Sequence, residues 1–255
     1  MNILRRTIIF HIPHSSCVIP DMSGFMTEYI LSEINLLTDW GTNDIFNLPD
    51  IDKITANFSR IYCDVERLPD TMEPMYKKGM GICYTETDDG HLLRSLTQQQ
   101  KRTIINTCYQ QHHRHLLEKV KEKIHLFNSA LIIDCHSFSS SPLQREYNQS
   151  SERPDICLGV DAFHTPPELI EMFQTFFSSH GFTVSINTPY IGTIVPLPLY
   201  QKEKSVQSIM IEINKRLYMN EENFTVYPQK IRKLHQLIQG LLIFSTEMYK
   251  VRPKE

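Results

Sequence analysis

The sequence has 255 residues and a formal net charge of −3. It carries no dense basic run, no GxGxxG or GxxxxGK[ST] loop and no uninterrupted apolar stretch of membrane-spanning length. These absences argue against a nucleic-acid binder, a phosphate-cradling loop and a membrane span, and the length suits a single domain over residues 1–255.

The chain opens with Met1 to Arg6 and a short apolar run broken by His11 and Pro13. That run is too short for a secretory signal, and the six scattered cysteines include no CxxC pair, so reduced thiols and a cytoplasmic location are expected. Thr7 to Ile12 reads as a strand stopped by Pro13. His11 and His14 flank the stop, and imidazole is the commonest metal ligand. Thr27 to Leu37 predicts a helix. Asp39, beside the sole tryptophan Trp40, suits either a helix start or a metal site. Ile54 to Arg67 reads as a strand entering a loop that gathers Arg60, Asp64, Glu66 and Arg67. Paired arginines suit a bidentate grip on a carboxylate. Leu68 to Gly90 is a long loop of the kind that covers or lines sites.

Leu96 to Phe127 carries the strongest helical periodicity, with Ile104, Ile105, Cys108, Leu116, Val120 and Ile124 on its apolar side. His112, His113 and His115 lie within it without HExxH spacing, so packing or surface roles are expected, His113 being the one to watch. Ala130 to Phe138 is an apolar strand that ends in Asp134, His136 and Ser137. Residues two apart on a strand share a side, so Asp134 and His136 face one site or form one structural pair. Pro154 to Gly159 is a further short strand. Thr165 to Gly181 reads as a helix capped by Thr165 and ended at Gly181. Phe182 to Ile186 is a strand, and Asn187 to Thr193 is a turn that presents Tyr190. Ser205 to Asn214 is the third polar-tipped strand. Its Met210, Glu212 and Asn214 alternate with Ile209, Ile211 and Ile213. Val226 to Tyr249 closes the chain as a helix with Pro228 in its first turn.

Strands alternating with helices give an α/β class with a mostly parallel sheet. Three strands end in His11/His14, Asp134/His136 and Glu212/Asn214. With Arg60 and Arg67 they form the parts of a metal-assisted hydrolase. Two histidines and a carboxylate make an open zinc site, a separate glutamate activates water, and arginines bind an anionic substrate.

The motifs run in order: Pro13-His14-Ser15-Ser16, Thr38-Asp39-Trp40, Ser59-Arg60 with Asp64-Val65-Glu66-Arg67, Asp134-Cys135-His136-Ser137, Pro154-Asp155, and Glu212 to Tyr218. Together, over roughly residues 7 to 220, this set resembles the N-formylglutamate amidohydrolase family. The resemblance implies a zinc-carboxypeptidase-like, phosphorylase/hydrolase-like three-layer sandwich around a mixed, mostly parallel sheet. It also implies zinc-dependent hydrolysis of an N-acyl amino acid, with N-formylglutamate giving formate and glutamate, as in histidine degradation. On that resemblance His14, Asp39 and His136 are the metal ligands, with His11 or Cys17 as alternatives for the third. Glu212 is the general base, Arg60 polarises the carbonyl and Arg67 holds the substrate carboxylate. Asp64, Tyr190 and Asn187 complete the substrate contacts, and Asp134 orients a ligand.

The sequence departs from the family pattern at named positions. His11 stands where the family usually lacks a histidine. Glu66 replaces the asparagine of the DxNR motif and adds negative charge near the anion grip. Gly41 follows Trp40 where a histidine is common, and Tyr190 to Thr193 keeps part of a glycine-rich pattern. The expected partner is a small anionic N-acyl amino acid, with neither nucleic acid nor membrane. Alternatives are a metallo-amidohydrolase or peptidase with another substrate, a non-catalytic binding module, and a metal-free enzyme using Cys135 or Ser137 with His136. The last has poor geometry, because adjacent strand side chains point apart.

Overall fold

A computed structural model describes residues 3–69 and 72–251. Met1 and Asn2 of the amino-terminal stretch, and Asp70 and Thr71 of the predicted loop, lie outside them. The chain runs α1 (Ile3–Thr7), β1 (Ile8–Ile12), α2 (Thr27–Leu37), α3 (Thr42–Ile45) and β2 (Asp52–Thr55). After the long loop come α4 (Gln98–Ile104) and α5 (Gln110–Phe127), joined through a π-helical turn at Ile105–Tyr109. Thr97 and Gln100 close a capping box at the start of α4, which fixes the amino end of the predicted helix. Then follow β3 (Ala130–Phe138), β4 (Ile156–Gly159), α6 (Pro167–Ser179), β5 (Val184–Ile186), β6 (Val206–Asn214), the small hairpin of β7 (Met219–Asn220) and β8 (Thr225–Val226), and α7 (Pro228–Val251). Among the described residues, no helix is long and apolar enough to cross a membrane.

Six strands form one sheet in the order β2-β1-β3-β6-β4-β5. Neighbours are parallel except β4, which runs antiparallel to β6. The sheet is therefore mixed and mostly parallel, with helices on both faces, as the sequence reading expects. β3 lies next to the middle of the sheet, and all nine of its residues are buried. An apolar side chain buried in this way contributes about 1.5–3 kcal/mol.

The alternation of side chains divides the molecule. One sheet face carries Ile8, Phe10, Ile133, Cys135, Ile209 and Ile211, which pack with residues of α6 and α7 in the largest core. The opposite face carries Ile9, Ile54, Ile132 and Val206, which meet Leu116 and Val120 of α5. Toward the carboxyl ends of the strands this second face turns polar. A third cluster joins α2 and α4 to the loop residues Ile61, Tyr62, Met75, Ile82 and Tyr84.

One local expectation changes. Thr165 does not cap α6: its Oγ1 donates to the Ser208 carbonyl and accepts from Asp161 N–H, and Pro166 holds the cap position instead. A cap needs the hydroxyl turned to the helix amides, and β6 takes it instead. The six cysteines form no disulfide. Four of them, Cys63, Cys83, Cys135 and Cys157, are buried, while Cys17 is exposed.

Candidate metal centre and active site

The register of the central strands sets the site. In the β3–β6 ladder His136 lies opposite Glu212, and in the β1–β3 ladder His11 lies opposite Asp134. Parallel partners point to the same face, so these four side chains share the polar end of the second face. Such groups are costly to bury unless paired, and here they are. Asp134 Oδ1 lies 2.7 Å from His11 Nδ1 and 3.0 Å from His136 Nε2.

His14 follows Pro13 in the loop beyond β1. Its carbonyl accepts a bond from Asp39 N–H at 2.9 Å, which brings the Asp39 loop alongside. Gly41 makes that turn with a φ of 77°, and a Cβ there would meet Ile231 Cδ1 at 2.5 Å. The positive φ favours glycine here, and a side chain would require the tip of Ile231 to shift.

Asp39 Oδ2 stands 3.2 Å from His136 Nδ1 and 3.8 Å from His14 Nδ1. Glu66 faces the same two rings, with Oε2 3.7 Å from His14 Nδ1 and Oε1 3.2 Å from His136 Nε2. His14 Nε2 is held 2.9 Å from Asp64 Oδ1. His14 Nδ1 is buried and has no hydrogen-bond partner.

These groups open onto a cavity of about 430 Å³, lined by His14, Asp39, Arg60, Glu66, Arg67, His136, Tyr190, Glu212 and Lys215 among others. Of the residues predicted for the site, His14, Asp39, His136, Arg60, Arg67, Tyr190 and Glu212 are brought together there. Asp64 and Asn187 are not. Asp64 lies beneath the cavity, saturated by His14, two nitrogens of Arg60, the Tyr84 hydroxyl and Glu66 N–H. It organises these side chains instead of meeting a ligand. Asn187 bonds Val160 through both its amide atoms and accepts from Gly192 N–H, so it braces its own turn.

Charge is strongly organised. Burial raises the Asp64 carboxyl, but Arg60 and His14 outweigh it and hold the group well below the carboxylate range. Burial, aided by Arg60, lowers the His14 ring. Burial opposes charge on His136, but Glu66, Asp134 and Asp39 prevail and hold it high. Burial pushes the Glu212 carboxyl up to about 8, with His136 opposing and Asp39 and Glu66 adding to it. Glu212 Oε2 has no hydrogen-bond partner. A raised carboxyl beside an open volume is suited to taking and returning a proton.

The sequence profile of the N-formylglutamate amidohydrolase family matches residues 6–219. The chain belongs to this family. Among solved structures, an N-formylglutamate amidohydrolase from Ralstonia eutropha is 22% identical with a TM-score of 0.82, over 95% of this chain and 93% of that one. A gene product of Agrobacterium tumefaciens is 18% identical with a TM-score of 0.66, over the same shares of each chain. At these identities the likeness speaks to the fold. No curated protein matches the sequence.

In this N-formylglutamate amidohydrolase family member the residues present fit a divalent metal. His14, Glu66 and His136 offer ligand atoms within 4.8 Å of one another, and His11, Glu66 and Asp134 form a second such group. The unpartnered His14 Nδ1, and the mixture of imidazole and carboxylate, suit zinc or a similar ion.

Three residues at this site escape the sequence reading. Glu66 is visible there only as added charge. Lys215, buried after β6, donates to the Leu36 carbonyl at 3.1 Å and lines the cavity. His112 Nε2 lies 2.8 Å from His11 Nε2, and burial and its histidine neighbours lower its ring to about 2. The signal for His112 is its spacing: it precedes Leu116 and Val120 by whole helical turns on the stripe that faces the sheet.

Proposed function

We propose that this amidohydrolase is metal-dependent and hydrolyses the amide of a small anionic N-acyl amino acid, with N-formylglutamate as the first candidate. The supporting observation is the shared cavity. It collects two histidines with an orphaned ring nitrogen, a glutamate with an unpartnered oxygen and two arginines.

His14 and His136 would hold the ion together with Asp39 or Glu66. A divalent ion so held polarises a carbonyl and lowers the pKa of water toward ~7. Glu212 takes the proton of the attacking water and returns it to the amide nitrogen as the C–N bond breaks, releasing formate and glutamate from N-formylglutamate. Arg60, held by Asp64 at 3.0 Å, directs positive charge toward the carbonyl oxygen. Arg67 binds the substrate carboxylate.

The test combines metal analysis of purified protein with formate release across N-acyl amino acids. His14→Ala and His136→Ala are expected to lose metal and turnover together. Full metal retention in both variants refutes the site. A metal-loaded protein that turns over other N-acyl amino acids but not N-formylglutamate reassigns the substrate only.

A further inference from the structure

We propose that Glu66 bridges two cation positions, and that His11, Asp134 and Glu66 form a second divalent-metal site beside the one at His14 and His136. The inference rests on the metal-dependent reading of the first site and adds a second ion to it.

The two oxygens of Glu66 face different partners. Oε2 lies 3.7 Å from His14 Nδ1, whereas Oε1 lies 3.7 Å from His11 Nδ1 and 3.2 Å from His136 Nε2. Around Oε1 the donor atoms stand 2.7–3.7 Å apart, and the two shortest separations, both hydrogen bonds, open for an ion to enter. Asp134 Oδ1 stands 2.7 Å from His11 Nδ1 and 3.0 Å from His136 Nε2. Donors at about 2.0–2.1 Å from a tetrahedral ion lie roughly 3.3 Å from one another. A carboxylate that offers one oxygen to each of two adjacent ions is a natural bridge, and paired catalytic metals stand about 3.5–4 Å apart.

The surroundings of His11 complete the case. A ligating histidine needs a partner for its other ring nitrogen. His11 Nε2 has one, because His112 Nε2 lies 2.8 Å away and can accept from it. When Nδ1 takes a cation, His11 carries its proton on Nε2 and donates it to His112. On the other side of Glu66, His14 Nδ1, buried and without a partner, belongs to the first position.

The experiment is metal titration of the full chain with Zn²⁺ and with Mn²⁺, read by elemental analysis and calorimetry. Electron paramagnetic resonance of the Mn²⁺ form reports whether two ions are close enough to couple. The wild-type protein is expected to bind two ions per chain with a coupled signal. Glu66→Asn and His11→Phe are expected to bind one ion and give an uncoupled signal. Glu66 is partly exposed, so its variant keeps the test open if His11→Phe fails to fold. One ion per chain in the wild type, lost in His14→Ala, overturns the second site and leaves the first standing. Two ions retained in Glu66→Asn also overturn it. No bound metal at all overturns both readings.

Discussion

His14 Nε2 lies 2.9 Å from Asp64 Oδ1, and this bond decides which nitrogen of the ring is left for the cavity. With Nε2 committed to a carboxylate held ionised by Arg60, Nδ1 keeps its lone pair and faces Asp39 and Glu66. Asp64→Asn preserves the shape but removes the charge that fixes the ring. Partners of this kind typically tune metal affinity by 10–100-fold. The variant is expected to lose affinity within that range, measured by competition with a chelator. Unchanged affinity would show that Asp64 acts only on the arginines.

In the proposed mechanism Glu212 moves protons and does not hold the ion. Glu212→Gln is expected to lower kcat by roughly 10²–10⁴-fold, the usual contribution of a positioned acid–base group, while the metal content stays at the wild-type level. Loss of metal in this variant would make Glu212 a ligand and would move the general base elsewhere.

Arg67 is tied to its surroundings before any substrate arrives. It donates to the Tyr84 hydroxyl at 3.3 Å and lies 3.4 Å from Asp64 and 3.7 Å from Glu73. Pre-ordering of this kind favours a fixed fork for a carboxylate. Arg67→Lys keeps the charge but loses the fork. KM is expected to rise about 10–100-fold, corresponding to the 1.5–3 kcal/mol of a charge-assisted bond, with a smaller change in kcat. Equal losses in kcat and kcat/KM would place Arg67 at the reacting centre instead.

The pH dependence of stability has a source away from the site. Burial raises the Glu33 carboxyl from 4.5 to about 7, with Asp88 N–H opposing and the Asp88 and Asp89 charges adding to it. Between these two values the folded protein holds a proton that the unfolded chain releases. The favourable contribution is therefore complete below about 4.5 and is lost as pH rises through about 7. Glu33→Gln keeps an acceptor for Asp88 N–H and removes the charge. It is expected to gain roughly 1–2 kcal/mol over the wild type at pH 8, after allowance for solvent screening, and little at pH 4. Urea unfolding at the two values measures the difference, and a variant no more stable at pH 8 would show that Glu33 is solvated there.

Much of this was legible in the sequence because it is periodic. β1, β3 and β6 announce themselves as apolar runs with polar ends, and the α4–α5 stretch by its spacing. The direction of β4 was not legible, since a four-residue apolar run reads the same parallel or antiparallel. Glu66 showed its charge but not its aim, which is set by how the loop after β2 folds over β3. The His11–His112 contact joins a strand to a helix about a hundred residues away. Only the burial stripe of α5 hinted at it. Lys215 looked like a surface lysine because it follows a strand end, yet the Leu36 carbonyl draws it inward.

The β3–β6 ladder that sets His136 opposite Glu212 also interleaves the isoleucines of the main core. A slip of one residue in that pairing would turn the histidine away from the cavity and carry the isoleucines onto the polar end of the opposite face at the same time. The reactive geometry and the hydrophobic core therefore form in one folding event. Hydrogen exchange at the central amides and recovery of catalysis after refolding are expected to share a single time course.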